Sequence, residues 1–398
     1  MLVEMNNMDF GEFIQIYDNW VFEKVLTIDC GSLNKRKFSY IVSKKLDFDT
    51  PIMISHLHDD HMNYFVKYSK FCDKKYKKVY LPCITTHNNG TGFVEILSDA
   101  ILDLLIGKKS EESFNKNFLN KIKQISSIVD YENIEFLQRG DCRQLNSFIK
   151  MKVLWPCGQC HSNNNDNNKV NNDANAIVQH VEKKIIEKLG EFDINVEIDN
   201  VEYEPILNAI KEITLINYTF YNKRNNEADN VTIKELFKDK KWKEYNHNLN
   251  VLRNYQKENG CIYRPIENLT NINDLSIVCK ITENYKSVLL TGDIDYSRVK
   301  KIAQNIDCSF SLENEVYTLC KIPHHGTENY IKCFKKVNAN EFIVSNGNHK
   351  RFCIGNSINN FMPLRCTNGE KYCKCVSLPV GCCSNHLCMK GKTIFIRL

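Results

Sequence analysis

At 398 residues, with 42% hydrophobic and 25% charged side chains, the chain is large enough for one big core or two ordinary ones. A formal net charge of +5 is small for that length and is no nucleic-acid-binding signature by itself, and no run approaches the roughly 18 apolar residues of a membrane helix. The first residues, MLVEMNNMDFGEF, lack a basic start followed by an apolar stretch, so no secretory signal is read there, and the eighteen cysteines are expected as reduced thiols in a cytoplasmic protein.

In chain order, the N-terminal part reads as strand-rich. Short β-type runs fall at Phe13 to Tyr17, Val25 to Ile28, Ser39 to Val42, Ile52 to Ile54 and Lys78 to Pro82. A polar, helical stretch follows from Val94 to Ile128, and strand signals return at Ile134 to Leu137 and Met151 to Pro156. NNNDNNKVNNDAN, residues 163 to 175, is low-complexity and reads as a loop. Behind it Ile177, Val181, Ile185 and Leu189 recur every four residues, one face of an amphipathic helix. A second helical patch, rich in Lys and Glu, runs from Ile233 to Glu258; strands then resume at Leu275 to Ile281 and Ser287 to Leu290. Residues 162–270 therefore read as an insertion that splits one domain into parts 1–161 and 271–350, with a Cys-rich segment at 351–398. No internal repeat is evident.

The chemistry concentrates at strand ends. Behind the apolar run Pro51 to Ile54, the segment HLHDDH places three histidines and two aspartates in six positions, His56 to His61. His56 and His58 stand two apart, so an extended backbone points both the same way and they can share one ion. Asp60 and His61 follow on the turn and can reach a second ion. Imidazole with carboxylate suits Zn²⁺ or Mn²⁺. A histidine-rich surface turn is the plain alternative; the spacing behind a buried-type strand argues against it. Two later segments repeat the design: Val288 to Leu290 ends in Thr291-Gly292-Asp293, and Leu319 to Pro323 delivers His324 and His325. Asp293 alone would read as a turn residue after glycine.

In this order HLHDDH, LLTGD and KIPHHGT resemble the metallo-β-lactamase superfamily, nearest to the soluble hydrolase domain of ComEC-type DNA-uptake proteins with its PHHGS element. TIDCGS (27–32), GDCRQLNSFIKMKVLWP (140–156), LSIVCKI (275–281) and EFIVSNGN (341–348) agree with that branch, and the likeness covers residues 10–160 and 270–350. The resemblance implies an α/β protein (α+β in some schemes): a four-layer αββα sandwich, two mixed sheets face to face with helices outside. It further implies two divalent ions, Zn²⁺ or Mn²⁺, with His56 and His58 on one, Asp60 and His61 on the other, and Asp293 between them. His324 or His325 would complete the second site or orient the substrate; alternation along a strand leaves open which one. The histidine that many relatives place between the first motif and Thr-Gly-Asp has no clear counterpart. His161 stands near the right place, and His349 could replace the histidine of a late Gly-His-Pro that is missing. A lost ligand would leave one ion in place of two.

The implied reaction is hydrolysis by a metal-activated water, on a phosphodiester of nucleic acid or a nucleotide. Asp60 would orient the water or take its proton, and a histidine of the 324–325 pair would protonate the leaving group or clamp a phosphate oxygen. Lys321, Lys335, Lys336, Lys350 and Arg351 read as positive charge for an anionic substrate, or as ordinary surface cations. Other esters, thioesters or amides are alternative substrates, and a binding or scaffolding protein with a degenerate metal site is the rival class. The stretch 94–128 and the insertion could form a lid or a partner surface. Cys366, Cys373, Cys375, Cys382, Cys383, His386 and Cys388 could form a zinc knuckle, though packing thiols are the default because the spacing is not that of paired CxxC ligands. Cys157-Gly158-Gln159-Cys160-His161 matches a haem-attachment string only formally.

Overall fold

The computed structural model describes residues 1–8, 11–33, 44–84, 93–105, 114–157, 174–190, 203–221, 239–259, 272–305, 308–345, 361, 363–367, 386–388 and 393–398. The predicted strand at Ser39 to Val42 and both His161 and His349 lie outside these residues, as does the predicted loop 163–175 up to residue 173; Ala174 and Asn175 open a helix. The protein is mixed α/β, with two mixed sheets and eight α-helices among the described residues. It divides into two compact units, residues 1–83, 127–158 and 272–398 in one, and 84–126 with 159–271 in the other.

Seven strands of the first unit make one sheet: β1 (Leu2–Met5), β2 (Ile14–Tyr17), β3 (Lys24–Ile28), β4 (Ile52–Met53), β5 (Val79–Pro82), β6 (Ile134–Leu137) and β15 (Ile394–Arg397), in the order β15-β1-β2-β3-β4-β5-β6. β1, β2 and β3 pair antiparallel, while β3 to β6 run parallel. The second sheet holds β7 (Cys142–Gln144), β8 (Ile149–Trp155), β9 (Val278–Glu283), β10 (Lys286–Leu290), β11 (Val316–Lys321), β12 (Asn338–Val344), β13 (Leu364–Cys366) and β14 (His386–Cys388), in the order β14-β13-β12-β11-β10-β9-β8-β7. The described parts of the C-terminal segment thus complete both sheets: β15 pairs with β1, and β13 and β14 extend the edge beyond β12.

Period-2 patterning explains how the sheets meet. Along β8, Ile149, Met151, Val153 and Trp155 are buried while Lys150 and Lys152 are exposed. Ile149, Met151 and Val153 join Val3, Ile16, Leu26 and Ile28 of the first sheet in one core. Each such fully buried aliphatic side chain contributes about 1.5–3 kcal/mol. On its other face the second sheet packs Leu289, Cys320 and Phe342 against Tyr296, Val299 and Ala303 of a helix at Tyr296–Asn305. Cys157 and Cys308 belong to this cluster and are paired there as a disulfide.

The second unit is helical, with α-helices at Phe93–Leu105, Phe114–Ser126, Ala174–Gly190, Glu204–Tyr221 and Asp239–Asn259. Val181, Ile185 and Leu189 are buried, as their four-residue spacing requires. Tyr245 ties the helices together, donating to Leu119 O at 2.8 Å and accepting from Asn217 Nδ2 at 3.0 Å. Residues 84–126 group by contacts with these helices. Among the described residues no helix is long and apolar enough to cross a membrane.

Candidate metal centre

The parallel strands β3 and β4 of one sheet, and β10 and β11 of the other, end at the same edge, where Ile277 N donates to Ser55 O at 2.8 Å across the sandwich. What each strand delivers there decides the site. After β3, Asp29 takes a φ of 50°, which turns the chain out of the strand. Its carboxylate accepts from Ser55 N and Ser55 Oγ, both at 2.7 Å, and so fixes the residue ahead of His56. The same carboxylate accepts from His61 Nδ1 at 2.8 Å. That bond sets the tautomer and leaves Nε2 facing the centre, 3.2 Å from Asp293 Oδ2 and 3.9 Å from Asp60 Oδ2. Asp59, Asp60 and His61 open an α-helix at Asp59–Cys72, whose positive N-terminal end favours the two acids.

β10 delivers Asp293 through Gly292, which has φ +51°; a Cβ there would stand 2.6 Å from Ser276 Cβ. Ser276 Oγ in turn accepts from Asp293 N at 3.2 Å. Replacing Gly292 by alanine is expected to cost about 1–2 kcal/mol for the left-handed backbone, with overpacking against Ser276 in addition. Urea unfolding measures this, and an unshifted midpoint would contradict the assignment.

Beyond β11 the two histidines do not alternate as strand residues, because both take positive φ, 46° at His324 and 54° at His325. His325 Nδ1 lies 2.8 Å from Ser345 O, a carbonyl that can only accept, so Nδ1 donates and Nε2 faces the centre. Nε2 stands 3.5 Å from both Asp60 Oδ2 and Asp293 Oδ2. His324 turns elsewhere: Nδ1 lies 2.7 Å from Thr327 Oγ1, and the ring stacks on Tyr330 with centroids 3.9 Å apart. His56 is fully buried, its Nε2 2.9 Å from Nδ1 of the half-buried His58.

Among the described residues three groups bring one ligand atom each to within 4.8 Å of one another: His56, His61 and Asp293; Asp60, His61 and His325; Glu12, Asp29 and His61. His61 is common to all three. In these groups His56 falls with His61 and Asp293, whereas the resemblance implies His56 with His58; His58 lies against His56 at 2.9 Å but enters none of the three. Burial works against the charge on Asp60 and Asp293, but His61 and His325 outweigh it and hold both carboxyls well below the usual range. Burial likewise disfavours protonated His61, yet Asp293, Asp29 and Asp60 raise its pKa well above the ordinary histidine value. Burial lowers His56, and it brings His324 down to about 4. The fully buried Asp293 Oδ1 accepts no hydrogen bond among the described residues. A buried set of imidazoles and carboxylates, with carboxylate capacity left over, suits a divalent ion of the Zn²⁺ or Mn²⁺ kind.

Glu12, Asp29 and Ser345 join the site without having been singled out in the sequence. Lys321 corrects an expectation: it is 1% exposed and ion-paired to Glu12 at 2.8 Å, so it is not presented to a substrate. A lysine among the apolar residues of TLCKIP was the legible signal. Lys335 and Lys336 are exposed, and Lys350 and Arg351 lie outside the described residues. Compared with protein-family models and with curated protein sequences, the chain matches none.

Proposed function

We propose that the chain is a metal-dependent hydrolase of the metallo-β-lactamase superfamily, built as a four-layer αββα sandwich and acting on a phosphodiester of nucleic acid or a nucleotide. One observation carries the reading. His56, Asp60, His61, Asp293 and His325 come from strand ends far apart in sequence, and His61 and His325 each commit Nδ1 elsewhere so that Nε2 faces carboxylates. Two donor sets, His56 with His61 and Asp293 and Asp60 with His61 and His325, would hold two divalent ions, Zn²⁺ or Mn²⁺; because His61 is shared, a single ion is the alternative. The phosphodiester assignment rests on the resemblance to the ComEC-type branch, with the exposed Lys335 and Lys336 as supporting positive charge.

When bound, such ions supply Lewis acidity that acidifies water and stabilises developing negative charge. Asp60 is the most open acid of the cluster, its side chain 17% exposed against 2% for Asp293. Kept ionised by His61 and His325, it can orient a water or take its proton. His324, neutral at pH 7, suits a hydrogen bond to a substrate oxygen rather than protonation of a leaving group. Metal-stripped protein reconstituted with Mn²⁺ or Zn²⁺ should turn over bis-p-nitrophenyl phosphate, and Asp60→Asn should lower that rate by about 100-fold or more. Full turnover in stripped protein would end the proposal. Turnover of esters or thioesters alone would move the substrate class, and bound ion without turnover on any of them would favour a binding role.

A further inference from the structure

Lys321 closes β11 between Cys320 and Ile322, both fully buried, and is itself buried. Its ammonium donates to Gly292 O at 2.8 Å and pairs with Glu12 Oε2 at 2.8 Å and Asp293 Oδ1 at 3.5 Å. The Asp293 carboxylate is thereby divided. Oδ1 faces the lysine, while Oδ2 faces His61 Nε2 at 3.2 Å and His325 Nε2 at 3.5 Å. Glu12 and Asp29 also stand with His61 as a donor set of metal-binding type, but beside Glu12 a cation is already supplied by the chain. A buried charge persists only when it is paired: the Lys321 ammonium serves Glu12 and Asp293, and the His61 ring serves Asp29 and Asp293.

We propose that Lys321 is a positioning residue: its ammonium takes the place of a metal ion beside Glu12 and holds Asp293 with Oδ2 turned to the ligand histidines. The inference rests on the metal-centre reading above. It has a consequence of definite sign. If Lys321 acted only as a nearby positive charge, its removal would tighten binding of a divalent cation. As the anchor of Asp293, its removal must weaken binding, and partners of this kind are typically worth 10- to 100-fold in metal affinity.

The test is titration of the full chain with Mn²⁺, free ion being read by electron paramagnetic resonance; manganese avoids the thiolates of the C-terminal segment. Lys321→Ala should bind Mn²⁺ at least about tenfold more weakly than wild type. Propylammonium, which replaces the deleted atoms, should restore affinity, and the uncharged propanol should not. Glu12→Gln combined with Lys321→Ala removes one charge of each sign, so the site keeps its net charge, and it carries the comparison should the single variant fail to fold. It too should bind about tenfold more weakly. Affinity equal to or tighter than wild type in a folded variant, or no response to propylammonium, would overturn the assignment while leaving the metal centre standing. Absence of Mn²⁺ binding by the wild type would bring down the metal-centre reading and this inference with it.

Discussion

Replacing His61 by alanine is expected to abolish ion binding and to destabilise the metal-free protein by about 3–5 kcal/mol. The effect on binding follows from position: His61 belongs to every donor set in which the described residues could hold an ion. The effect on stability has a separate cause. In the metal-free protein the ring lies between Asp29 Oδ2 at 2.8 Å and Asp293 Oδ2 at 3.2 Å, and both carboxylates are buried. Alanine leaves those acids facing one another without the imidazole that separates and neutralises them. His58→Ala is the matched control, because His58 is half-buried and enters none of the three sets. Its loss removes the partner 2.9 Å from buried His56 Nε2 and should cost about 1–3 kcal/mol, less than loss of His61. Urea unfolding and Mn²⁺ titration of the two variants measure both effects. Equal losses in the two would show that His61 has no special place.

The second large effect is a pH dependence of opposite sign for binding and for metal-free stability. The His61 pKa in the folded, metal-free protein lies well above the ordinary histidine value, and that of His325 is also raised. A raised pKa contributes stability that is fully present below the unfolded value, about 6.5, and is lost as pH rises through the folded value. Asp60 and Asp293 are displaced downward, so their contribution is already complete above about pH 4 and does not vary in this window. Metal-free protein should therefore become less stable from about pH 6.5 upward. An ion must displace the protons on His61 and His325, so its affinity should rise about tenfold per pH unit for each proton released. His56, pushed down by burial, is neutral throughout and adds nothing. Calorimetric titration with Mn²⁺ in buffers of different ionisation enthalpy counts the protons. Zero protons released, or affinity independent of pH between about 6 and 8, would contradict the arrangement.

Much of the framework was legible because largely buried strands read as short apolar, β-branched runs. Ile134–Leu137 was read within its observed bounds, and β3, β5 and β10 to within a residue or so. The edge strands β7 and β14, and β13 beside β14, have three residues each and too little pattern to betray them. The ligand-bearing motifs were visible because dense histidines behind an apolar run are rare. Their partners were not. Glu12 and Ser345 are ordinary polar residues until the fold brings Ser345 O against His325 and Glu12 against Lys321. The choice between His324 and His325 depended on two consecutive positive φ values, which no residue type there announces. Lys321 reads as charge for a substrate or as an ordinary surface cation, because sequence does not show whether a lysine has found buried acids.

Bulk metal content would mix this centre with any zinc held by C-terminal cysteines, so position is the direct test. Crystals of the full chain soaked in Zn²⁺ and measured at the zinc edge should show an anomalous peak about 2.0–2.1 Å from His61 Nε2 and within bonding reach of Asp293. Zinc found only at the cysteines, with the His61 and Asp293 side chains in contact and no peak between the strand ends, would contradict the account.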